Sequence, residues 1–174
     1  MVLFELAIIV LALVFLLILY KIDNKVLRRF FLVFIGILLF QYFTQALWLT
    51  KNLEPWTYLY LGVNWIITIG RSTMVIVSMA IVDIYFSRYS EKIRFLLYLV
   101  LLTISGVFAE AMTVAQGNIQ YHPALKEVFS GYTILGSVPV EALYYIPVFM
   151  MLVISFVRYW ELALESKEKR KKKK

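Results

Sequence analysis

Five long apolar runs decide what this chain can fold into. They cover approximately residues 2–20, 28–50, 58–86, 94–114 and 133–157, each close to or above the ~20 apolar residues that a helix needs to cross a bilayer. In a chain of 174 residues, 62% of them hydrophobic and with a mean hydropathy of +0.80, five such runs cannot all be the core of a soluble domain. The expectation is an all-α polytopic integral membrane protein, with five transmembrane helices in a single domain over 1–174. The first run lacks a basic leader and ends in Tyr20-Lys21-Ile22-Asp23 rather than at a small-residue cleavage site. It reads as a retained helix, not a signal peptide.

Orientation follows from the basic residues, because loops rich in Lys and Arg stay on the cytoplasmic side. Lys21, Lys25, Arg28 and Arg29 form one basic group; Arg88, Lys92 and Arg94 form a second; Arg158 and the segment 167–174 form a third. The other two connections hold only Lys51 and Lys126. The alternation predicts an outside N-terminus, a cytoplasmic C-terminus and a basic cytoplasmic tail over 161–174. The net charge of +7 is then mainly topogenic, and its natural partners are anionic membrane lipids rather than nucleic acid. A retrieval signal at Lys171 and Lys172 would apply only in a eukaryotic source. The expected location is the cell membrane of a prokaryote.

There is no cysteine, and His122 is the only histidine. Disulfides, thiolate metal sites and bis-histidine haem are excluded. No Gly-rich phosphate loop is present either, so the chain is expected to use neither a metal nor a cofactor. Chemistry falls to carboxylates, tyrosines, amides and one intramembrane arginine.

Those groups recur at helical spacing. Gln41, Thr44, Gln45 and Trp48 share one face; so do Asn64, Thr68, Arg71 and Ser78; Thr103, Gly106, Glu110 and Thr113; and Ser137, Glu141 and the Tyr144–Tyr145 pair. At about 1.5 Å per residue, Gln45, Asn64, Glu110 and Glu141 lie within roughly 8–12 Å of the outer ends of their helices, and Arg71 about 10 Å deeper than Asn64. One pocket can hold them all, with the longer external loop 115–131 above it. Two readings stand. The polar groups are interhelical glue, or Glu110, Glu141 and Arg71 form a salt-bridged or proton-handling centre. Asp83 and Glu5, near helix ends, are expected to reach water. His122 reads as a loop-packing residue, and Trp48, Trp56, Tyr58, Tyr60 and Trp160 as interfacial belts.

The segment 110–147 carries a further pattern: Glu110, Gly117, Tyr121-His122-Pro123, Gly131, then "LGSVPVEALYY". It resembles the membrane lycopene cyclase domain of carotenoid biosynthesis and the related carotenoid hydratases, over residues 57–160. Their Pro-x-Glu-Glu/Asp element is matched by Pro139-Val140-Glu141, with Ala142 at the second acidic position. The resemblance implies an intramembrane enzyme that protonates a double bond of an apolar, bilayer-soluble isoprenoid. Glu110 and Glu141 would be its acid and base and Arg71 would tune their charge. Gln41, Gln45, Asn64, Tyr121, Tyr144 and Tyr145 would line the substrate site. A non-enzymatic reading, as a subunit of a membrane complex or a small transporter, is the alternative. Small residues such as Gly62, Gly70, Ser105 and Ala109 permit homo- or hetero-oligomers and intrachain packing alike.

Overall fold

The computed structural model describes residues 2–45, 47–60 and 62–171. The apolar runs become five helices long and apolar enough to cross a membrane. These are α1 (Val2–Ile22), α2 (Val26–Thr44), α3 (Trp65–Tyr85), α4 (Glu91–Ala115) and α6 (Ala142–Lys171), with a short α5 (Pro123–Val128) in the longest connection. Helices α2, α3, α4 and α6 close into a ring, each packing against two neighbours, and α1 lies outside it against α3 and α2. Accordingly α3 is the most buried of the five and α1 the least.

Burial follows residue spacing. On α1 only Glu5, Ala12 and Leu19 are buried among the described side chains, a strict seven-residue seam, while Leu3 and Leu17 stand 84% and 65% exposed. An apolar helix exposed on most of its circumference suits lipid, not water. Inside the ring, Val33, Ile37, Val75, Met79, Leu102 and Ile154 form the dry core. Gly106 lets α4 and α6 approach, since a Cβ there would stand 2.9 Å from Ile146 Cγ2.

The helix ends differ from the sequence expectation. The run 28–50 stops being helical at Thr44, the run 58–86 starts at Trp65, and the run 133–157 starts at Ala142. The intervening residues form three short antiparallel ladders at one end of the bundle: β1 (Trp48–Thr50) with β4 (Ile119–Tyr121), β2 (Tyr58–Tyr60) with β3 (Val63–Asn64), and β5 (Thr133–Ile134) with β6 (Val138–Pro139). Hydropathy marks these residues as apolar but does not record that their partners lie on another strand. Pro139, inside the apolar run 133–157, is buried in β6. The other end of the bundle carries the basic groups and is called the basic end below; the ladders define the hairpin end. Helix α6 runs on to Lys171, so the expected tail begins as helix, and 172–174 lie outside the described residues.

The hydroxyls within the helices are satisfied locally. Thr44, Thr68, Ser72, Thr73, Thr103, Ser105 and Thr113 each donate to the carbonyl four residues earlier. Such back-bonding lets a polar side chain sit in an apolar helix without a partner across the interface. Thr68 also faces Gln41 Oε1 on α2 at 2.9 Å, the one cross-helix hydrogen bond of these seven hydroxyls among the described residues. Among these seven hydroxyls the glue reading therefore applies to Thr68, through Gln41; elsewhere on the stripes Tyr145 of α6 bonds across to Glu110 of α4.

Candidate functional site

Glu110 is the centre of the hairpin end. It sits one turn from the C-terminus of α4, half-buried, and its Oε1 accepts two hydroxyls: Tyr121 at 2.7 Å and Tyr145 at 2.5 Å. The two tyrosines come from different places, one from β4 and one from the first turn of α6. A third element adds Trp48. Strand pairing sets Trp48 opposite Tyr121, and backbone bonds from Lys51 to Asn118 (2.9 Å) and from His122 to Leu47 (3.0 Å) extend the ladder. The Trp48 ring centre then lies 5.4 Å from that of Tyr121 and 5.5 Å from that of Tyr145. Phe129 closes edge-on against Tyr121 at 5.6 Å. One carboxylate, two hydroxyls and four rings thus share one small volume.

The chain reaches this geometry through Gly117. Its φ of +74° turns the backbone from α4 into β4, and a Cβ there would press on Asn52 Nδ2 at 3.2 Å. Glycine alone takes that turn without strain. Burial, followed by the Glu110 charge beside it, pushes the Tyr121 hydroxyl well above the usual tyrosine range.

Arg71 lies half-buried on α3, in electrostatic contact with Glu110, Tyr145 and Tyr121. It makes no direct ion pair with a described carboxylate. It lines a cavity of about 20 Å³ together with Gln41, Gln45, Trp48, Thr50 and Ile119. That volume is the size of one water molecule. Gln45 Oε1, on this wall, is shielded from solvent without a protein partner among the described residues. Trp48 belongs both to this wall and to the tyrosine pair, and so connects the two.

Three expected site residues are elsewhere. Glu141 shares no hydrogen-bond partner with Glu110 among the described residues; it precedes α6, where its Oε1 accepts the Ser130 N–H at 2.7 Å and its carbonyl accepts the N–H groups of Tyr144 and Tyr145. The Ser130 bond holds its carboxyl below the usual carboxylate range. The reason for the separation is the helix boundary: Glu141 ends a strand-and-turn segment rather than riding on a helical face toward the bundle. Tyr144 is 74% exposed, because the next residue, Tyr145, takes the inward direction. Asn64 is the N-cap of α3: its Oδ1 accepts Ile66 and Ile67 N–H at 3.0 and 3.1 Å, and its Nδ2 donates to Thr57 at 2.6 Å. A cap of this kind stabilises a helix by about 1 kcal/mol, and its polar atoms are spent on structure.

Of the two groups expected at water, Glu5 is not there, while Asp83 keeps partial exposure. Glu5 is fully buried, with Oε1 accepting the Glu54 N–H at 3.2 Å and Oε2 without a described partner. Asp83 is half-buried and accepts Arg94 at 3.1 Å and a short bond from Tyr98. His122 is structural as expected, capping α5 by accepting the Ala124 N–H at Nδ1. Trp48 is the functional candidate that the sequence reading assigned to an interfacial belt. The signal available for it was its place on the Gln41–Gln45 face.

Among the described residues no group of histidine, aspartate and glutamate side chains is arranged to hold a metal ion. Compared with protein-family models, curated proteins and solved structures, the chain matches none.

Proposed function

We propose that this protein is an intramembrane enzyme of isoprenoid or related lipid metabolism that starts its reaction by protonating a double bond, in the manner of a cyclase or hydratase. On this reading the five helices are inserted with the hairpin end outside and the basic end in the cytoplasm. The observation that carries the proposal is the single Glu110 oxygen gripped by two tyrosine hydroxyls beneath Trp48.

Glu110, in its acid form, donates its proton to one carbon of an alkene. Positive charge develops on the other carbon, where an aromatic face such as that of Trp48 stabilises it by about 0.5–2 kcal/mol. For a cyclase, a second double bond of the substrate attacks that carbon, the charge moves to the far end, and a C–H proton there returns to Glu110. For a hydratase, water adds to the cation and yields its extra proton to the same carboxylate. Either way one carboxylate both gives and regains the proton, so Glu141 is not required as a partner. Tyr121 and Tyr145 are positioning residues that fix the carboxylate. Arg71 supplies positive charge at the site without pairing with Glu110 directly.

The test is conversion in cells that accumulate linear polyenes. Wild type should give a cyclised or hydrated product, and Glu110→Gln should lower conversion about 100-fold, the lower end of what a positioned acid contributes, while eluting as a folded species in detergent. No new product from wild type, or equal product from Glu110→Gln, would overturn the proposal. A second reading, a non-enzymatic membrane subunit, is favoured by one observation: the cavity beside Arg71, at about 20 Å³, is far smaller than a polyene. In that case Glu110 ties α4, β4 and α6 together, and Glu110→Gln would lose folded protein while wild type makes no product.

A further inference from the structure

A second cavity, of about 540 Å³, opens at the basic end, away from Glu110. It lies within the range of small-ligand sites. Its wall carries five cationic side chains, Lys25, Arg29, Lys92, Arg94 and Arg158, and three acidic ones, Glu91, Glu161 and Glu165. We propose that this cleft binds a phosphate-bearing anion, either the headgroup of an anionic lipid or a free phosphate compound.

The state of each charge supports this. Glu161 is taken by Arg29 at 2.7 Å and Arg158 at 3.8 Å, and Glu165 by Lys25 at 3.0 Å and Arg28 at 3.9 Å. Asp83, behind the wall, is taken by Arg94 at 3.1 Å and Tyr98, and it stands 4.0 Å from Arg29, as Asp23 stands 3.8 Å from it. The acids other than exposed Glu91 are thus already engaged. Donors are left over: Arg94 Nε is shielded without a partner, and Lys92 has no carboxylate partner among the described residues. Arg158 is shared between Glu161 and the Tyr98 hydroxyl at 3.3 Å and is 45% exposed.

Backbone electrostatics point the same way. Helices α2 and α4 both begin at this cleft, bringing the positive ends of two dipoles to it. Cations in a first turn oppose that dipole, yet Arg28 and Arg29 occupy the first turn of α2, which has no acid; in α4 the first turn carries Glu91 beside Lys92 and Arg94. An anion in the cleft relieves the conflict at the start of α2. A phosphate suits the mixture, because planar guanidinium forks and a lysine point charge bind its oxygens together.

Purified full-length protein decides the matter by thermal unfolding. Inorganic phosphate in detergent is compared with sodium chloride of equal ionic strength, and phosphatidylglycerol nanodiscs are compared with phosphatidylcholine ones. Saturating phosphate, or phosphatidylglycerol, should raise Tm by about 3 °C. A response to free phosphate identifies a soluble ligand, and a response to phosphatidylglycerol alone identifies a lipid headgroup. Lys92→Gln with Arg158→Gln should reduce the shift to under about 1 °C. Should that pair fail to fold, Lys92→Gln alone is expected to weaken apparent affinity about fivefold, the loss of one charge-assisted contact. No shift in either arm, a shift reproduced by chloride or phosphatidylcholine, or an undiminished shift in the foldable variant overturns the site.

Discussion

At the hairpin end, Glu110 meets two hydroxyls whose rings lie beside Trp48, with Arg71 near but not paired to it. At the basic end, Arg29, Arg94 and Arg158 are bound directly to Asp83 and Glu161 in a connected lattice that includes Tyr98. Both ends place charge beside apolar helices, but only the second neutralises it by contact. The contrast has an energetic meaning. An ion pair whose partners touch is a finished interaction, and exposed ones contribute about 0–1 kcal/mol. A carboxylate held by neutral donors remains chemically available, and its value lies in what it can exchange.

The strongest way to break this contrast is Glu110→Gln. Its ~100-fold loss of conversion corresponds to about 2.7 kcal/mol of transition-state stabilisation, whereas loss of any single basic-end acid should leave conversion within about threefold, since none touches the reacting centre. Equal effects at both ends would erase the distinction.

Next comes Gly106→Val. The new side chain meets Ile146, next to Tyr145, and overpacking of this kind costs about 1–3 kcal/mol. Thermal unfolding in detergent should show a lower Tm. The Glu110–Tyr145 bond, one helical turn away, should weaken, while the Arg29–Glu161 pair between α2 and α6 persists.

A smaller effect is expected from alkali. Because the folded Tyr121 hydroxyl is held above its unfolded range, its contribution is fully present below the unfolded value of about 10 and is lost as pH rises beyond it. Ultraviolet titration should therefore find a late-ionising tyrosine that vanishes in Tyr121→Phe, and stability should decline above about pH 10. A Tyr121 that ionises with the exposed tyrosines would contradict its place at Glu110.

The smallest change belongs to Lys25→Gln. Lys25 is 53% exposed and its pair with Glu165 is screened by solvent, so unfolding stability should move by no more than about 0.5 kcal/mol. A larger loss would make the basic end a stability device rather than a lattice left open for a ligand.

The apolar runs were legible because hydrocarbon imposes length and composition on any helix that crosses it. Of the residues named for a pocket, the structure gathers Glu110 with Tyr121 and Tyr145, and Gln41, Gln45 and Arg71 on one cavity wall. The place of Trp48 was not legible, because its contact with Tyr121 depends on a strand pairing between residues far apart in the chain. Glu141 was misplaced for the opposite reason: an apolar run continues through 133–141 although its backbone is turn and strand. Asn64 looked like part of a polar stripe, and only the helix start at Trp65 identifies it as a cap.

The seam of α1 bears on the order in which the molecule is made. Helix α1 leaves the ribosome before α3, which it packs against and which follows some forty residues later, after the Glu54 amide that Glu5 requires. On the proposed insertion, Glu5 waits near the outer surface until that segment arrives. The ring of α2, α3, α4 and α6 closes without α1, which packs outside it against α3 and α2, so α1 can dock once α3 is in place, before α4 and α6 are made. Glu5 is then the catch that records the arrival of the connection before α3, ahead of ring closure.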